Sequence, residues 1–500
     1  MADHRITGSE IINILECCGI PFSADPEFAL LSFGSISEYT ERIRPGSLFI
    51  FRTEELSVSN AAEAVLRGAS GIISDHPEAG AGVPRLFTGR VYEASTEISR
   101  RFWDGSASRI EQICILGTKG KTTTARMLHS VLSPAEDAPV AYCTTNRSFD
   151  GRAEVRFPGT VSDPTVYYPL CERAIQNGCR LMVSEMPSYA EYYNRLTGIS
   201  FSYGIFTNLD RDHVSPFGHP TYENYVECKK KLASRCGNML VNRDDPHAGE
   251  FLEAASRASL KMTYSLDDED ADFHAADIRR LDRGYSFDLI TPTWKSGMRI
   301  MMPGIFNISN AVAAGGLAWM RGIGPENIAK GLKETLVEGR MEMYEANGRI
   351  AFVDYAHNGI SFRAVLGSLK RDYPDRKIIV VTGIGGLVSD YCHEDNADAL
   401  AAYASHCIIT TDNPLSEDPA ELCLSFADRI LARGGSAEII EDRKEAIRSA
   451  VERLGTDEVL LVAGKGDDRE MSYFDRTEPY EGDDVLTKKY IGEKALHLNL

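Results

Sequence analysis

Short apolar runs, each ending in a polar or glycine-rich turn and followed by a helix-compatible segment, recur along this 500-residue chain. They occupy residues 112–116, 180–184, 203–208, 239–242, 350–354, 377–382, 407–411 and 459–463. The alternation predicts an α/β architecture built on parallel sheets, because parallel neighbours need a crossover, usually a helix, between them. In open sheets of this kind ligands bind at the carboxyl ends of the strands. Nearly every chemically suggestive residue of the chain lies just after one of these runs, which points to one active-site region.

At about 150 residues per domain the length predicts three domains. A polar, small-residue stretch at 106–109 and a glycine-containing turn at 338–340 divide the chain into 1–108, a small N-terminal α/β domain; 109–338, a central P-loop ATPase-type parallel sheet; and 339–500, a Rossmann-like domain. The balance of 54 Lys plus Arg against 73 Asp plus Glu, net −19, argues against a general nucleic-acid surface and against an anionic membrane. Eleven scattered cysteines with no C-x-x-C pair fit reduced thiols rather than a disulfide framework or a zinc site. The first residues, MADHRITGSE, lack the pattern of a signal peptide, and no apolar run approaches a membrane span, so a cytoplasmic protein is expected; a monomer is expected as a separate reading.

The sharpest local signal is Gly117-Thr118-Lys119-Gly120-Lys121-Thr122-Thr123, between an apolar strand and a helix predicted over 125–132. Glycines let the backbone fold around phosphate, amides and the helix N-terminus bind the anion, Lys121 reaches the terminal phosphates and Thr122 can ligate magnesium. Ile115 stands where the first glycine of the G-x-x-x-x-G-K-[ST] pattern belongs, so the loop is a compact form of it. It reads as a nucleotide site with room for Mg2+, and by itself leaves kinases, GTPases, ATPases and ligases open; ATP as the cofactor comes with the resemblance below.

Further motifs follow in order. Thr160-Val161-Ser162-Asp163-Pro164 resembles T-T-P-D-P; Glu185-Met186-Pro187-Ser188-Tyr189-Ala190 resembles E-V-S-S-H-A, with Arg195 at the matching spacing; Thr207-Asn208-Leu209-Asp210-Arg211-Asp212-His213 resembles T-N-L-x-R-D-H. Tyr225 to Leu232 resembles Y-x-x-A-K-x-x-L, Gly304 to Ala311 resembles G-x-F-N-x-x-N-x-x-A, and Gly339-Arg340-Met341-Glu342 with Asp354-Tyr355-Ala356-His357 resembles G-R-M-E with D-Y-A-H. Together these strings resemble the Mur ligase family, the ATP-dependent amide-forming enzymes of peptidoglycan stem-peptide synthesis, and particularly its branch that adds the third amino acid.

The resemblance implies an ATP-dependent, ADP-forming ligase that joins an amino acid to a carboxylate acceptor through an acyl phosphate. It implies that Glu185, His213 and a carbamylated Lys229 hold magnesium with Thr122, and that Lys121, Lys229, His213 and Glu185 carry catalysis. Asn307, Asn310, Arg340, Asp354 and His357 are then ATP contacts, and Thr160, Asp163, Ser188 and Arg195 meet the acceptor, a nucleotide-sugar peptide or another acyl carrier. Read from the residues alone, Glu185 could instead pair with a lysine, residues 229–231 could form a solvated basic helix face, and Asn307 could cap a helix.

Asp412, Asn413, Arg443 and Asp468 fall in segments that, by resemblance, meet the incoming amino acid; Asp467 could equally be part of a surface acidic turn. Where diaminopimelate-adding relatives carry an arginine after D-N-P, this chain has Leu415, which removes a bidentate partner for a second carboxylate and leaves lysine or another amine. The N-terminal domain departs most. The D-S-R triplet reads Tyr39-Thr40-Glu41, and D-G-H-x-F is replaced by Leu56-Ser57-Val58-Ser59-Asn60. Those family positions help hold the uridine nucleotide. The alternatives are therefore a divergent paralogue acting on another acyl carrier, as in folylpolyglutamate or cyanophycin ligation, or a catalytically silent nucleotide-binding module.

Overall fold

The computed structural model describes residues 4–51, 58–76, 82–145, 147–156, 163–211, 218–474 and 476–497. Thr160 and His213, both expected at the site, lie outside the described residues, as do residues 56 and 57. The chain forms two compact units, one of residues 1–125 and 132–263, the other of residues 126–131 and 264–500.

In the first unit a five-stranded sheet has the order Ser23–Ala24, Arg85–Phe87, Ala69–Ser74, Ser47–Phe51, Ser35–Ser37, parallel except for its first pair. A second sheet carries the phosphate loop. Its strands run Ser148–Phe149, Val140–Cys143, Leu181–Glu185, Glu111–Leu116, Tyr203–Phe206, Asn238–Asn242, and those from Val140–Cys143 onward are parallel. Ile113, Cys114, Ile115 and Leu116 are all fully buried. An unbroken apolar run is what a strand covered on both faces requires, which is why the sequence shows no polar alternation there.

In the second unit the antiparallel strands Phe273–Arg280, Tyr285–Ile290 and Lys295–Ile300 precede helices Phe306–Met320 and Pro325–Glu334. A six-stranded sheet follows, in the order Glu342–Ala346, Arg349–Asp354, Glu458–Ala463, Lys377–Thr382, His406–Ile409, Ala437–Ile439. Only its edge strand Glu342–Ala346 is antiparallel. The α/β class with parallel sheets is as the sequence predicts. Among the described residues no helix is long and apolar enough to cross a membrane, and all eleven cysteines are free thiols.

The helix Asp390–Tyr403 buries His393 against Phe426. Burial, assisted by Arg429 and opposed by Asp390 and Glu417, holds this imidazole below its usual range. The unfolded chain then takes up a proton near pH 6.5 that the folded unit resists, so stability is lost as pH falls below that value. Chemical denaturation at about pH 7.5 and 5.5 is expected to show the loss, and His393→Phe to lessen it; an unchanged pH difference in the variant would remove His393 from the account.

Candidate active site

The phosphate loop leaves the strand Glu111–Leu116 between its parallel neighbours Leu181–Glu185 and Tyr203–Phe206. Gly117 has φ 142°, and a Cβ on it would stand 2.0 Å from Thr207 Oγ1; Gly120 has φ 82°. Both positions therefore need glycine. The helix Lys121–Leu132 begins four residues before its expected start at 125, so Lys121 to Thr124 form its first turn. That places the positive end of the helix dipole directly at the loop.

The Thr207-Asn208 motif clasps this loop. Thr118 N donates to Asn208 O (2.8 Å) and Lys119 N to Asn208 Oδ1 (2.8 Å), while Asn208 Nδ2 (3.0 Å) and Thr207 Oγ1 (2.7 Å) donate to Lys119 O. Asp210 N donates to Thr118 Oγ1, which also bonds the Tyr225 hydroxyl (2.9 Å). Lys121 Nζ lies 3.0 Å from Thr118 O, folded over the loop. The loop shape thus depends on groups some ninety residues away.

Thr122 Oγ1 donates to Glu185 Oε2 (2.6 Å), and Thr145 gives both its N–H (2.8 Å) and its hydroxyl to Glu185 Oε1. Glu185 is 1% exposed and ends its strand. Among the described residues the lysine pairing considered from sequence is not seen; Glu185 is bonded instead by threonines of the phosphate loop's helix and of a neighbouring turn. Lys229, also 1% exposed, donates to Gly117 O at 2.6 Å and lies 4.7 Å from the Tyr225 ring centroid. A solvated basic face is excluded for Lys229, while Lys230 pairs with Glu250 and Lys231 is exposed. Among the described residues no three His, Cys, Asp or Glu side chains gather as metal ligands. A hydroxyl and a carboxylate beside a phosphate loop are nonetheless the hard oxygen donors that magnesium takes, with phosphate and water completing its shell.

The acceptor candidates also lie in this unit. Asp163 and Arg195, 32 residues apart, form an ion pair with both side chains 3% exposed. Tyr39, which stands in the altered N-terminal triplet, donates its hydroxyl to Asp163, and the Arg195 guanidinium lies 4.9 Å from the Tyr193 ring and 5.6 Å from Tyr92. Tyr39 is a residue that motif matching passed over because it departs from the pattern. Ser188, 2% exposed, bonds His219 Nε2 at 2.8 Å. His219 gave no signal in the sequence beyond being a lone histidine.

In the second unit Asp354 ends its strand and accepts from Met341 N and Ala356 N, each at 2.8 Å, so its two oxygens fasten the Arg340-Met341 turn to the Asp354-Tyr355 segment. Arg340 lies over the Tyr355 ring at 4.4 Å, and His357 Nδ1 is 2.8 Å from Tyr355 O. Asn307 Nδ2 donates to Pro303 O (2.6 Å), and Asn310 Nδ2 to Asn307 Oδ1 (3.1 Å). Asn307 is not a cap. The capping position of Phe306–Met320 is Ile305, and Asn307 ties the first turn back to the preceding segment.

Asp412, Asn413 and Asp468 come together around a residue that sequence reading did not single out. Lys465, 1% exposed, donates to Asn413 Oδ1 and Asp468 Oδ2, each at 2.9 Å, and stands 3.8 Å from Asp412 Oδ1. Burial pushes the Asp412 carboxyl up, against the pull of Arg443 and Lys465. Asp467 is 2% exposed, so the surface-turn alternative fails for it. A Cβ on Gly339 would stand 2.4 Å from Asp467 N, showing how closely the two turns pack. Arg443 is committed to the protein itself, with two bonds to Asp483 and one each to Thr411 O and Ala463 O. It holds the ends of two strands rather than presenting an open fork. Leu415 has φ 53° and is 36% exposed.

Residues 115–318 match the Mur ligase middle domain and residues 339–466 the Mur ligase, glutamate ligase domain. The UDP-N-acetylmuramoyl-L-alanyl-D-glutamate--L-lysine ligase of Streptococcus sanguinis is 31% identical over 470 residues, covering 92% of this chain and 93% of the relative. Two solved structures share the fold. One is MurF from Acinetobacter baumannii, with a TM-score of 0.66 and 20% identity, covering 93% of this chain and 96% of that one. The other is MurF from Thermotoga maritima in complex with ADP, with a TM-score of 0.59 and 15% identity, covering 93% and 98%. With a compact phosphate loop, a threonine–glutamate pair beside it and near full-length similarity to a ligase of this kind, the chain belongs to the Mur ligase family.

Proposed function

We propose that this protein joins L-lysine to the D-glutamate carboxylate of UDP-N-acetylmuramoyl-L-alanyl-D-glutamate, a step of peptidoglycan precursor synthesis, with conversion of ATP to ADP and phosphate. The observation that carries this reading is the 31% identity across 92% of the chain to a lysine-adding ligase. Leu415 supports it. An aliphatic residue after Asp412-Asn413-Pro414 offers a distal carboxylate no cation, which disfavours diaminopimelate.

The acceptor carboxylate attacks the γ-phosphate, giving an acyl phosphate and ADP. The lysine amine then attacks that carbonyl, and phosphate leaves from the tetrahedral intermediate. Lys121 offsets charge on the phosphoryl oxygens as they transfer, and the dipole of Lys121–Leu132 acts in the same sense. Thr122 and Glu185, with His213 and a carbamylated Lys229 by resemblance, would hold Mg2+, whose chemistry is to neutralise phosphate charge. Ser188 and Arg195 orient the acceptor, and Asp412 and Asp468, with charge shared by Lys465, orient the amine. Most of the remaining rate gain comes from this positioning. We assign the domains to 1–108 for the acceptor, 109–338 for ATP and 339–500 for the amino acid. The enzyme acts as a cytoplasmic monomer in this reading.

The test is purified protein with ATP, magnesium and a crossed panel of carriers and amines, read by mass spectrometry and ADP release. The expected product is the lysine-containing tripeptide on the UDP-sugar. Equal turnover of diaminopimelate would overturn the amine assignment, product only on another acyl carrier would favour a divergent paralogue, and no ADP with any pair would favour a silent module.

A further inference from the structure

We propose that His219 is a positioning residue that fixes the proton of the Ser188 hydroxyl, so that Ser188 meets the acyl carrier as a hydrogen-bond acceptor and selects an N–H or O–H group on it. The inference rests on the reading of Ser188 as a carrier contact.

The imidazole is fully buried. It stacks on Tyr189 with centroids 4.9 Å apart and planes 9° apart, lies 5.0 Å from Tyr192, and meets Tyr225 edge-on at 5.3 Å. Its aromatic neighbours come from the short helix Tyr189–Tyr192 and from the helix Tyr222–Ser234. Tyr225 in turn bonds Thr118 of the phosphate loop, and Ser188 follows Glu185 by three residues. The ring therefore joins the acceptor segment to the nucleotide loop.

Its two nitrogens have distinct partners. Nδ1 faces Asn224 Oδ1 at 2.7 Å, and Nε2 faces Ser188 Oγ at 2.8 Å. The Cys228 thiol lies 4.0 Å from the same Asn224 oxygen, a second donor directed at it, while Asn224 N is held by Thr221 Oγ1 at 3.1 Å. A carbonyl oxygen can only accept, so Nδ1 carries the proton, and in a neutral ring Nε2 is left with its lone pair. Burial favours the neutral ring, holding its pKa below the usual range against the bond to Asn224. The Ser188 hydroxyl must then donate to Nε2. It has one proton, now used, so its oxygen can only accept from anything else. A carboxylate cannot satisfy it; an amide N–H or a hydroxyl of the carrier can. The S-S-H segment that Ser188 resembles has its histidine beside the serine, whereas here Tyr189 fills that place and the imidazole arrives from 31 residues away.

Two measurements test this. Long-range 15N–1H correlation on 15N-histidine protein, assigned with His219→Gln, is expected to show a bare Nε2 and a protonated Nδ1; a protonated Nε2 overturns the proposal. In steady-state kinetics with UDP-N-acetylmuramoyl-L-alanyl-D-glutamate, His219→Phe keeps a flat ring but loses the acceptor. It is expected to raise the KM for this carrier about 10-fold, with the KM values for ATP and lysine within about twofold. His219→Gln, whose amide oxygen can take the Ser188 proton, should return to within about threefold of wild type. Ser188→Ala should match His219→Phe, with no further loss in the double variant. An unchanged carrier KM in His219→Phe, or a uniform loss in kcat and all three KM values with a lowered Tm that His219→Gln does not rescue, would overturn it. Inactivity of the wild type on the whole panel would instead sink the proposed function, and the tautomer measurement would still decide the assignment of His219.

Discussion

Lys121→Ala is expected to remove amine-dependent ADP release, lowering kcat by at least about 10^2-fold, the scale seen when one preorganised charge donor to a transition state is deleted. The argument is electrostatic. The chain carries −19 overall, yet the reaction brings a carboxylate against a triphosphate, so the site depends on a few placed positive groups. Lys121 is the ammonium at the first turn of the helix proposed to receive the phosphates, and it is held over the loop through Thr118 O. The loop itself is shaped by Gly117, Thr207 and Asn208, none of which needs the lysine charge. Denaturation of the variant should therefore resemble wild type while turnover collapses. Wild-type turnover in Lys121→Ala would refute the phosphate-loop assignment and with it the ligase reading.

Asp483→Asn is expected to destabilise the second unit by about 3–5 kcal/mol, the usual cost of leaving one member of a buried ion pair without its partner. Arg443 and Asp483 are 2% and 0% exposed, and their two hydrogen bonds are 2.9 and 2.7 Å. Burial works against the charge on Arg443, and Asp483 more than offsets it, so the guanidinium stays charged and must be paired. An asparagine would turn an N–H donor toward a group made only of donors, and would also disturb the Tyr480 hydroxyl that bonds Asp483 at 2.7 Å. The loss should reach the site. Arg443 binds the carbonyls of Thr411 and Ala463, from which the Asp412-Asn413 and Lys465-to-Asp468 turns depart, so the KM for the amine should rise more than that for ATP. Urea denaturation checks the first expectation and steady-state kinetics the second. A stability change under about 1 kcal/mol would show that the pair is dispensable.

The sequence by itself determined what is local. An unbroken apolar run, a glycine-rich turn and a helix-compatible segment specify a strand, a phosphate loop and a helix within about twenty residues, because strand burial and positive φ act on neighbouring positions. The ordered motifs further along the chain, read with that loop, named the family and the candidate residues of its site. Only the tertiary structure decided which of those residues meet. Lys229 is a buried donor to Gly117, 112 residues away, and not part of a wet basic face. Asp163 is spent on Arg195 and Tyr39, Asp412 and Asp468 share Lys465, and Arg443 is closed by Asp483. Burial and charge pairing are settled by which side chains long-range packing brings within about 3–4 Å, and a one-dimensional pattern carries no such distances. His219 shows the same limit most plainly. As a letter it is one histidine among eleven; in the fold its Nε2 lies 2.8 Å from Ser188.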